Sequence, residues 1–186
     1  MYKTGRKIND HEDLKTVVDS LKALGSKIVL TQGSYDLVHI GHARYLEAAK
    51  KAGDVLIVGI DCDQKIQQRK GPDRPVVPEV ERLEMVLHLR PVDFVILKGY
   101  DDPKWHLIKA IKPDVLIATE DTYEPEEIEQ LKEFCKEVVV LERMATTSTS
   151  AKIRHLQITT AEKLEQQLTP KIIALLQETL SKVREG

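Results

Sequence analysis

Two histidines separated by an isoleucine and a glycine are the residues of this sequence best suited to chemistry. The segment 31–42 (TQGSYDLVHIGH) follows an apolar, β-branched run and precedes a helix-like segment at 43–52. A strand that enters a helix through a glycine-containing turn presents backbone N–H groups and a partial positive charge, which suits a phosphate. His39 and His42 are three residues apart at the predicted helix start, so both imidazoles can point the same way. The pattern predicts a phosphate site in which two imidazoles donate hydrogen bonds as charge develops.

Five apolar runs alternate with helical segments along the chain. The predicted strands are 27–31, 54–60, 93–97, 114–118 and 137–141, and the predicted helices are 43–52, 78–89, 103–112, 124–134 and one from about 148. This alternation is typical of an α/β fold with a doubly wound parallel sheet covered by helices on both faces. In such folds ligands bind beyond the carboxyl ends of the strands. An amphipathic helix is predicted at 10–24, and a long one at 160–185.

The connection 61–77 is unusually long and basic. It is polar, contains Gly71 and two prolines, and could hold a short helix at 63–69. Connections of this length in a compact domain are usually functional or disordered. Its basic residues, Lys65, Arg69, Lys70 and Arg74, could therefore close over a bound phosphate.

Composition and cysteine usage bound the remaining possibilities. The 186 residues fit one domain of ordinary size, and 41% hydrophobic residues suffice for a core. A net charge of -2 gives no reason to expect a nucleic acid or an anionic membrane as a partner. Cys62 and Cys135 predict two free thiols rather than a disulfide framework or a zinc site. Without a signal-like or membrane-length apolar stretch, we expect a cytoplasmic protein.

Four motifs in order resemble the nucleotidyltransferase superfamily that carries the His-x-Gly-His signature, in its cytidylyltransferase-like branch. They are the strand–turn–histidine segment 31–42, the strand 54–59 (DVLIVG), the basic segment 70–76 (KGPDRPV) with Glu81-Arg82, and Arg143 with 147–150 (TSTS). The resemblance covers about residues 27–157. It implies a Rossmann-like nucleotidyltransferase domain there, with a helical extension at 1–26 and a C-terminal helix at 158–186.

The resemblance implies an enzyme that joins a nucleoside triphosphate to a phosphorylated small molecule and releases pyrophosphate. The segment 70–76 is most similar to adenylyltransferases that activate heptose 1-phosphate with ATP. Cytidylyltransferases for glycerol 3-phosphate, phosphocholine or phosphoethanolamine share the histidines, and Trp105 is similar to a residue of the glycerol-phosphate enzymes. The segments 118–123 (ATEDTY) and 143–150 (RMATTSTS) differ from both patterns, so ATP and CTP both stay open. An FAD-forming adenylyltransferase is a weaker third alternative.

The chemistry and the resemblance together assign the site. The catalytic candidates are His39, His42 and Lys70. The nucleotide-binding candidates are Thr31, Gln32, Gly33, Tyr35, Gly41, Thr119, Glu120, Asp121, Arg143, Thr147, Ser148 and Thr149, and the acceptor-binding candidates are Asp36, Arg74 and Arg82. In particular, Gly41 is expected to leave room for the ligand to approach the backbone.

We expect Mg²⁺ to arrive with the triphosphate, because the sequence offers no obvious protein-only metal site. The remaining histidines, His11, His88, His106 and His155, are predicted to be ordinary surface or core residues. The apolar face of 160–185 predicts either packing on the chain's own domain or a dimer contact, and we expect a homodimer.

Two other functional classes share parts of this pattern. A nucleotide-binding protein without turnover could use the same fold, but such a protein does not need both histidines and Lys70. An aminoacyl-transfer enzyme shares the His-Ile-Gly-His element, but the length and the net charge of the chain do not suit tRNA binding.

Overall fold

The computed structural model describes residues 5–120, 122–142, 144–145 and 149–184. The chain divides into two compact units, Met1–Thr146 and Thr147–Gly186. The strands are β1 (Arg6–Ile8), β2 (Ile28–Gly33), β3 (Val55–Asp61), β4 (Phe94–Lys98), β5 (Val115–Thr119) and β6 (Glu137–Leu141). The helices are α1 (His11–Ala23), α2 (Ile40–Lys50), α3 (Asp63–Lys70), α4 (Glu79–Leu87), α5 (His106–Ile111), α6 (Pro125–Leu131) and α7 (Thr149–Arg184).

The six strands form one parallel sheet in the order β1-β4-β3-β2-β5-β6. The chain winds outward from β2 through β3 to β4, then returns to the other side of β2 with β5 and β6. The direction of winding therefore reverses between β2 and β5, and ligands of open parallel sheets bind beyond the carboxyl ends of the strands at such a point. The predicted doubly wound α/β fold is confirmed.

Both faces of the sheet are buried, which explains why the strands are almost continuously apolar. Ile28 and Leu30 of β2 pack on one face with residues of α1 and α5. Val29 packs on the opposite face with residues of α2 and α4. Successive strand residues point to opposite faces, so one strand supplies both halves of the core.

The N-terminal residues complete one edge of the sheet. The sequence predicts α1, whose first turn is capped by the Asp10 carboxylate accepting the Asp13 N–H at 2.8 Å. It does not predict β1, because Arg6–Ile8 is a three-residue strand with two exposed basic residues. The predicted boundaries at 26/27 and 157/158 stay predictions.

Within the second unit, Thr149–Arg184 form one continuous helix of 36 residues, α7, where the sequence predicts two segments from about 148 and at 160–185. Pro170 lies inside it. Several of its apolar residues are exposed, including Leu164, Leu168 and Ile172. Among the described residues, no helix combines the length and the apolar character that crossing a bilayer requires.

Candidate active site

The turn between β2 and α2 is backbone-strained and held in place from outside. Tyr35 and Leu37 adopt left-handed conformations with φ of 50° and 49°, which cost bulky residues about 1–3 kcal/mol each. Between them, the buried Asp36 carboxylate accepts the N–H groups of Val76 and Val77 at 3.0–3.1 Å. These bonds fix the turn to the loop that follows α3.

Asp36 also forms a buried ion pair. Nε of Arg74 donates to the carboxylate at 2.9 Å, and its Nη2 lies 2.8 Å from Oδ2. Burial by itself raises the pKa of Asp36, but the Val76 and Val77 N–H groups and the Arg74 guanidinium outweigh it and hold that pKa below its ordinary value. Asp36 is therefore a carboxylate that anchors the basic loop 71–77 over the turn.

The two histidines cap the helix that they begin. His39 is the N-cap of α2, and its Nδ1 accepts the N–H of Gly41 at 3.1 Å. The Nδ1 of His42 accepts the N–H of His39 at 3.3 Å, which closes a reciprocal capping box. Because each Nδ1 is an acceptor, each neutral ring carries its hydrogen on Nε2. The ring centroids are 4.1 Å apart.

This arrangement refines the expected anion site. The sequence predicts that backbone N–H groups at the start of α2 would receive the phosphate, but those of His39, Gly41, His42 and Ala43 bond within the chain. Each imidazole also carries an Nε2–H group, a hydrogen-bond donor of the kind that an anion accepts from.

Basic residues of α3 line the same turn. Arg69 donates to the hydroxyl oxygen of Ser34 at 3.2 Å, and Lys70 donates to the same oxygen at 3.3 Å. Arg69 also pairs with the buried carboxylate of Asp61 at 3.0 Å. Partial burial of the ammonium, followed by repulsion from Arg69 and Arg74, lowers the pKa of Lys70. A bound anion would therefore relieve the repulsion between these cations.

The loop after β5 meets the end of β2 at the point where the winding reverses. Nε2 of Gln32 donates to the Tyr123 hydroxyl at 3.2 Å, and the Thr122 hydroxyl accepts the Thr119 N–H at 3.0 Å. Burial raises the pKa of the Tyr123 hydroxyl, which stays protonated. Hydrogen bonds of its own side chains therefore hold this loop beside the end of β2, which leads into the turn that carries His39 and His42.

A comparison with known protein families identifies the family of the chain that carries this turn. A family model described as cytidylyltransferase-like matches residues 30–175, which include most of β2, the histidine turn and the strands β3 to β6. The chain belongs to the cytidylyltransferase-like family. It is accordingly a nucleotidyltransferase, and the predicted enzyme class is confirmed.

Named relatives agree with this family. The chain is 36% identical over 150 residues to the bifunctional protein HldE of a Nitratiruptor species, covering 81% of this chain and 32% of that protein. It is 42% identical over 151 residues to the bifunctional protein HldE of Helicobacter hepaticus, covering 81% and 30%. The chain thus spans about a third of the length of these relatives.

Solved structures agree as well. A lipopolysaccharide core biosynthesis protein from Thermoplasma volcanium superposes with a TM-score of 0.53 at 28% identity, covering 67% of this chain and 100% of that one. A pantoate-beta-alanine ligase from Francisella tularensis has a TM-score of 0.57 at 17% identity, covering 78% and 69%. The second likeness shows the fold alone.

Three residues predicted to touch substrates of this cytidylyltransferase-like enzyme have other surroundings. The guanidinium of Arg82, predicted to bind the acceptor, is fully buried and donates to the carbonyls of Val77, Ser34 and Asp61 and to the Asp63 carboxylate. Its donors join the turn, β3 and the basic loop, so Arg82 positions the site rather than contacting the acceptor.

The second and third corrections concern Thr31 and Gly41. The Thr31 side chain, predicted to bind the nucleotide, is completely buried and shares a 2.7 Å hydrogen bond with the Tyr45 hydroxyl. A Cβ on Gly41 would lie 2.8 Å from both Ala145 Cβ and His39 Cε1. The space beside Gly41 is thus filled by the protein itself, and the glycine is needed for packing of the His39 ring.

Five predicted nucleotide-binding residues cannot be placed in this way. Asp121, Arg143, Thr147 and Ser148 lie outside the described residues, as does the side chain of Thr149. Of the others, Glu120 is exposed, and Gly33 packs against the ring of Tyr35, from which a Cβ would be 3.2 Å away. Their roles stay predictions.

Sequence reasoning missed an ion cluster around the buried carboxylate of Asp61, at the ends of β3 and β4. Lys98 donates to the Asp61 carboxylate at 2.9 Å, opposite Arg69. Burial raises the pKa of Asp61, but Lys98 and then Arg69 outweigh it and hold that pKa below its ordinary value. The available signal was position, because Asp61 and Lys98 are the last residues of β3 and β4, at the edge of the sheet where ligands bind.

Proposed function

We propose that this enzyme transfers the adenylyl group of ATP to the phosphate of a phosphorylated sugar, with heptose 1-phosphate as the first candidate, and releases pyrophosphate. The observation that supports the proposal is the reciprocal capping of His39 and His42, which fixes both rings through Nδ1 at a strained, externally anchored turn.

The reaction needs hydrogen-bond donors more than it needs a general base. The second pKa of a phosphate monoester is about 6, so the acceptor is already a dianionic nucleophile at neutral pH. The enzyme must hold two anions in line and stabilise charge on the attacked α-phosphate. Imidazole Nε2–H groups fixed by backbone bonds at Nδ1 are such preorganised donors, because they need not reorient during the reaction.

The cations around the turn divide between the two anions. Lys70, which contacts Ser34 beside the histidine turn, closes over the triphosphate. Arg74, held by Asp36, directs its remaining donors to the acceptor phosphate or to the leaving pyrophosphate. The loop 119–123 is assigned to the base or ribose, and Arg143 with Thr147, Ser148 and Thr149 to the β- and γ-phosphates, by the resemblance alone.

The acceptor assignment rests on likeness. The HldE relatives and the lipopolysaccharide core biosynthesis protein agree with the resemblance of 70–76 to adenylyltransferases that activate heptose 1-phosphate. Trp105 gives little support to glycerol 3-phosphate and CTP, since its ring packs on the core near Phe134, with ring centroids 6.5 Å apart.

Magnesium fits this site as a companion of the nucleotide. The described carboxylates beside the turn, Asp36 and Asp61, are each paired with cationic side chains, so they are poor ligands for a resident metal. Mg²⁺ held by triphosphate oxygens would neutralise charge on the pyrophosphate as it leaves.

We also propose that the protein is a cytoplasmic homodimer joined through α7. Leu164, Leu168 and Ile172 recur at helical spacing and are each about half exposed, and an exposed apolar stripe of this kind marks an interaction surface. Light scattering should find a dimer for the wild type and a monomer for Leu168→Glu, with Gln166→Glu as the matched control. A wild-type monomer would refute the dimer.

Pyrophosphate release tests the enzymatic proposal. ATP and CTP would each be paired with heptose 1-phosphate, glycerol 3-phosphate, phosphocholine, phosphoethanolamine and FMN, using the wild type, His42→Ala and the control His155→Ala. We expect release with ATP and heptose 1-phosphate that His42→Ala abolishes and His155→Ala retains. Release only with CTP would support the cytidylyltransferase alternative. Tight nucleotide binding without release from any pair would support a binding protein without turnover.

A further inference from the structure

A second group of histidines lies beyond the ends of β1 and β4, away from the point between β2 and β5 where the direction of winding reverses. His11 is the first residue of α1, His106 is the first residue of α5, and Asp102 lies in the loop between β4 and α5. One ligand atom of each lies within 4.8 Å of those of the other two. The two imidazole rings meet edge to face with centroids 4.6 Å apart.

One atom of this group lacks the partner that burial requires. The Nε2 of His11 is buried and has no hydrogen-bond partner within the described part of the chain. The nearest carboxylate oxygen, Oδ2 of Asp102, is 3.9 Å away, which is too far for a hydrogen bond. Buried polar atoms almost always have a partner, so an unpaired one that faces a carboxylate calls for an explanation.

The electrostatics of the group favour a cation over a proton. Burial lowers the pKa of His11, and the neighbouring His106 lowers it further, against the opposing effect of Asp102. His11 is therefore neutral at pH 7 and does not form an ion pair with Asp102. Neutral imidazole is the form that binds metal ions.

The carboxylate is already oriented as a ligand would be. Oδ2 of Asp102 accepts the N–H of Gly99 at 2.7 Å, and such backbone bonds fix the direction of metal-binding carboxylates. Two imidazoles and one carboxylate form a ligand set suited to zinc and similar ions, with water in the remaining position.

We propose that His11, Asp102 and His106 bind one divalent transition-metal ion of the zinc type. Ligand atoms around tetrahedral zinc are about 3.4 Å apart, given bond lengths of about 2.0–2.1 Å. The observed 3.9 Å between His11 Nε2 and Asp102 Oδ2 would thus shorten by a fraction of an ångström on binding. The ion would join the start of α1 to the loop that leaves β4, and would secure the edge where β1 pairs with β4. This site is independent of the proposed transfer reaction.

Titration of the metal-free full chain with zinc chloride in a calorimeter tests the proposal. The variants His11→Asn and Asp102→Asn remove one ligand each, and His88→Asn, just after α4, is the matched control. A double variant, His39→Asn with His42→Asn, removes the other histidine pair. Circular dichroism checks that each variant is folded.

We expect one high-affinity zinc ion per chain in the wild type, the His88 variant and the double variant. In His11→Asn and Asp102→Asn we expect affinity at least about 100-fold weaker, since losing even an outer-shell partner costs about 10–100-fold. Zinc should raise the melting temperature of the wild type and leave that of Asp102→Asn unchanged. Equal zinc affinity in the wild type and both ligand variants, or loss of binding only in the double variant, would overturn the proposal.

Discussion

Two pairs of histidines lie at helix starts at the same edge of the sheet, and their surroundings suit them to ligands of opposite charge. In His39 and His42 both Nδ1 atoms accept backbone N–H groups, so each Nε2 carries the ring hydrogen and is a donor, which suits an anion. In the pair formed by His11 and His106, an Asp102 carboxylate oxygen lies within 4.8 Å of a nitrogen of each ring, and the Nε2 of His11 has no hydrogen-bond partner among the described residues. Imidazole nitrogens and the negative charge of Asp102 lie close together there, which suits a cation.

The difference lies in what the backbone supplies around each pair. A short turn places backbone N–H groups beside the first pair, and the Nδ1 atoms of both rings accept hydrogen bonds from them. The second pair is assembled from two helix starts and a loop that are distant in sequence. We therefore expect the ring nitrogen that the backbone occupies to decide whether a pair binds an anion or a cation.

The largest contrast is expected between the two aspartates that support these sites. Asp36→Asn removes the charge from a buried ion pair with Arg74 and should destabilise the protein by about 3–5 kcal/mol. Asp102→Asn, measured without metal, should cost less than about 1.5 kcal/mol, because Asn can still accept the Gly99 N–H. Urea denaturation of both variants measures the difference, and equal losses would contradict it.

The same measurement has a predicted pH dependence. The folded-state pKa of Asp36 lies below its unfolded value of about 3.9, so its ionised form contributes stability above about pH 4. That contribution is lost as the pH falls through the folded-state pKa. The difference between the wild type and Asp36→Asn should be complete at about pH 6 and shrink below about pH 4.

The next effect separates capping from chemistry in the first pair. His39→Asn keeps an oxygen that can cap α2 but removes the Nε2–H donor, whereas His39→Ala removes both. Both should lower kcat by about 10²–10³-fold. Only His39→Ala should also lose about 0.5–2 kcal/mol of stability. Steady-state kinetics and urea denaturation measure the two effects, and full activity in His39→Asn would show that the ring serves only as a cap.

Lys70 should show a smaller effect with a pH signature. Removing its charge with Lys70→Met should cost about 1.5–3 kcal/mol of transition-state stabilisation, the range for a charged hydrogen bond. Because the pKa of Lys70 is lowered from 10.5, activity should fall as the pH rises through that lowered value. Lys70→Arg stays charged, so its pH–rate profile should lose this alkaline decline. An unchanged profile would exclude Lys70 as the titrating group.

The smallest effect concerns packing beside the first pair. Gly41→Ala places a Cβ 2.8 Å from Ala145 Cβ and should cost about 1–3 kcal/mol through overpacking. Adding Ala145→Gly should restore part of the stability, because it removes one of the two closest atoms. A double-mutant cycle measures this coupling, and simple additivity would show that the crowding lies elsewhere.

Sequence patterns predicted most of the fold because the signals were local. Each long β-branched run is a strand within about two residues of its predicted bounds, and the short helix predicted at 63–69 is α3 (Asp63–Lys70). β1 escaped notice because its pairing with β4 depends on residues about 90 positions away, whereas its own three residues carry one apolar side chain.

The site was predictable where one turn carries it. His39, His42 and Lys70 became candidates because they lie in short motifs, and their roles stay predictions. The buried roles of Arg82 and Thr31 could not be predicted, because burial depends on how α4 and α2 pack against the sheet. The group around His11 unites residues from two helices and a loop, and three separate polar residues give no periodic signal.

The most direct test of the central claim follows a labelled phosphate. The enzyme would be incubated with heptose 1-phosphate and ATP carrying ³²P at either the α- or the γ-position, and the products would be separated by chromatography. Nucleotidyl transfer predicts that the α-label enters the sugar product, that the γ-label leaves only as pyrophosphate, and that His42→Ala abolishes both. Appearance of the γ-label on the sugar would mean phosphoryl transfer and would contradict the account.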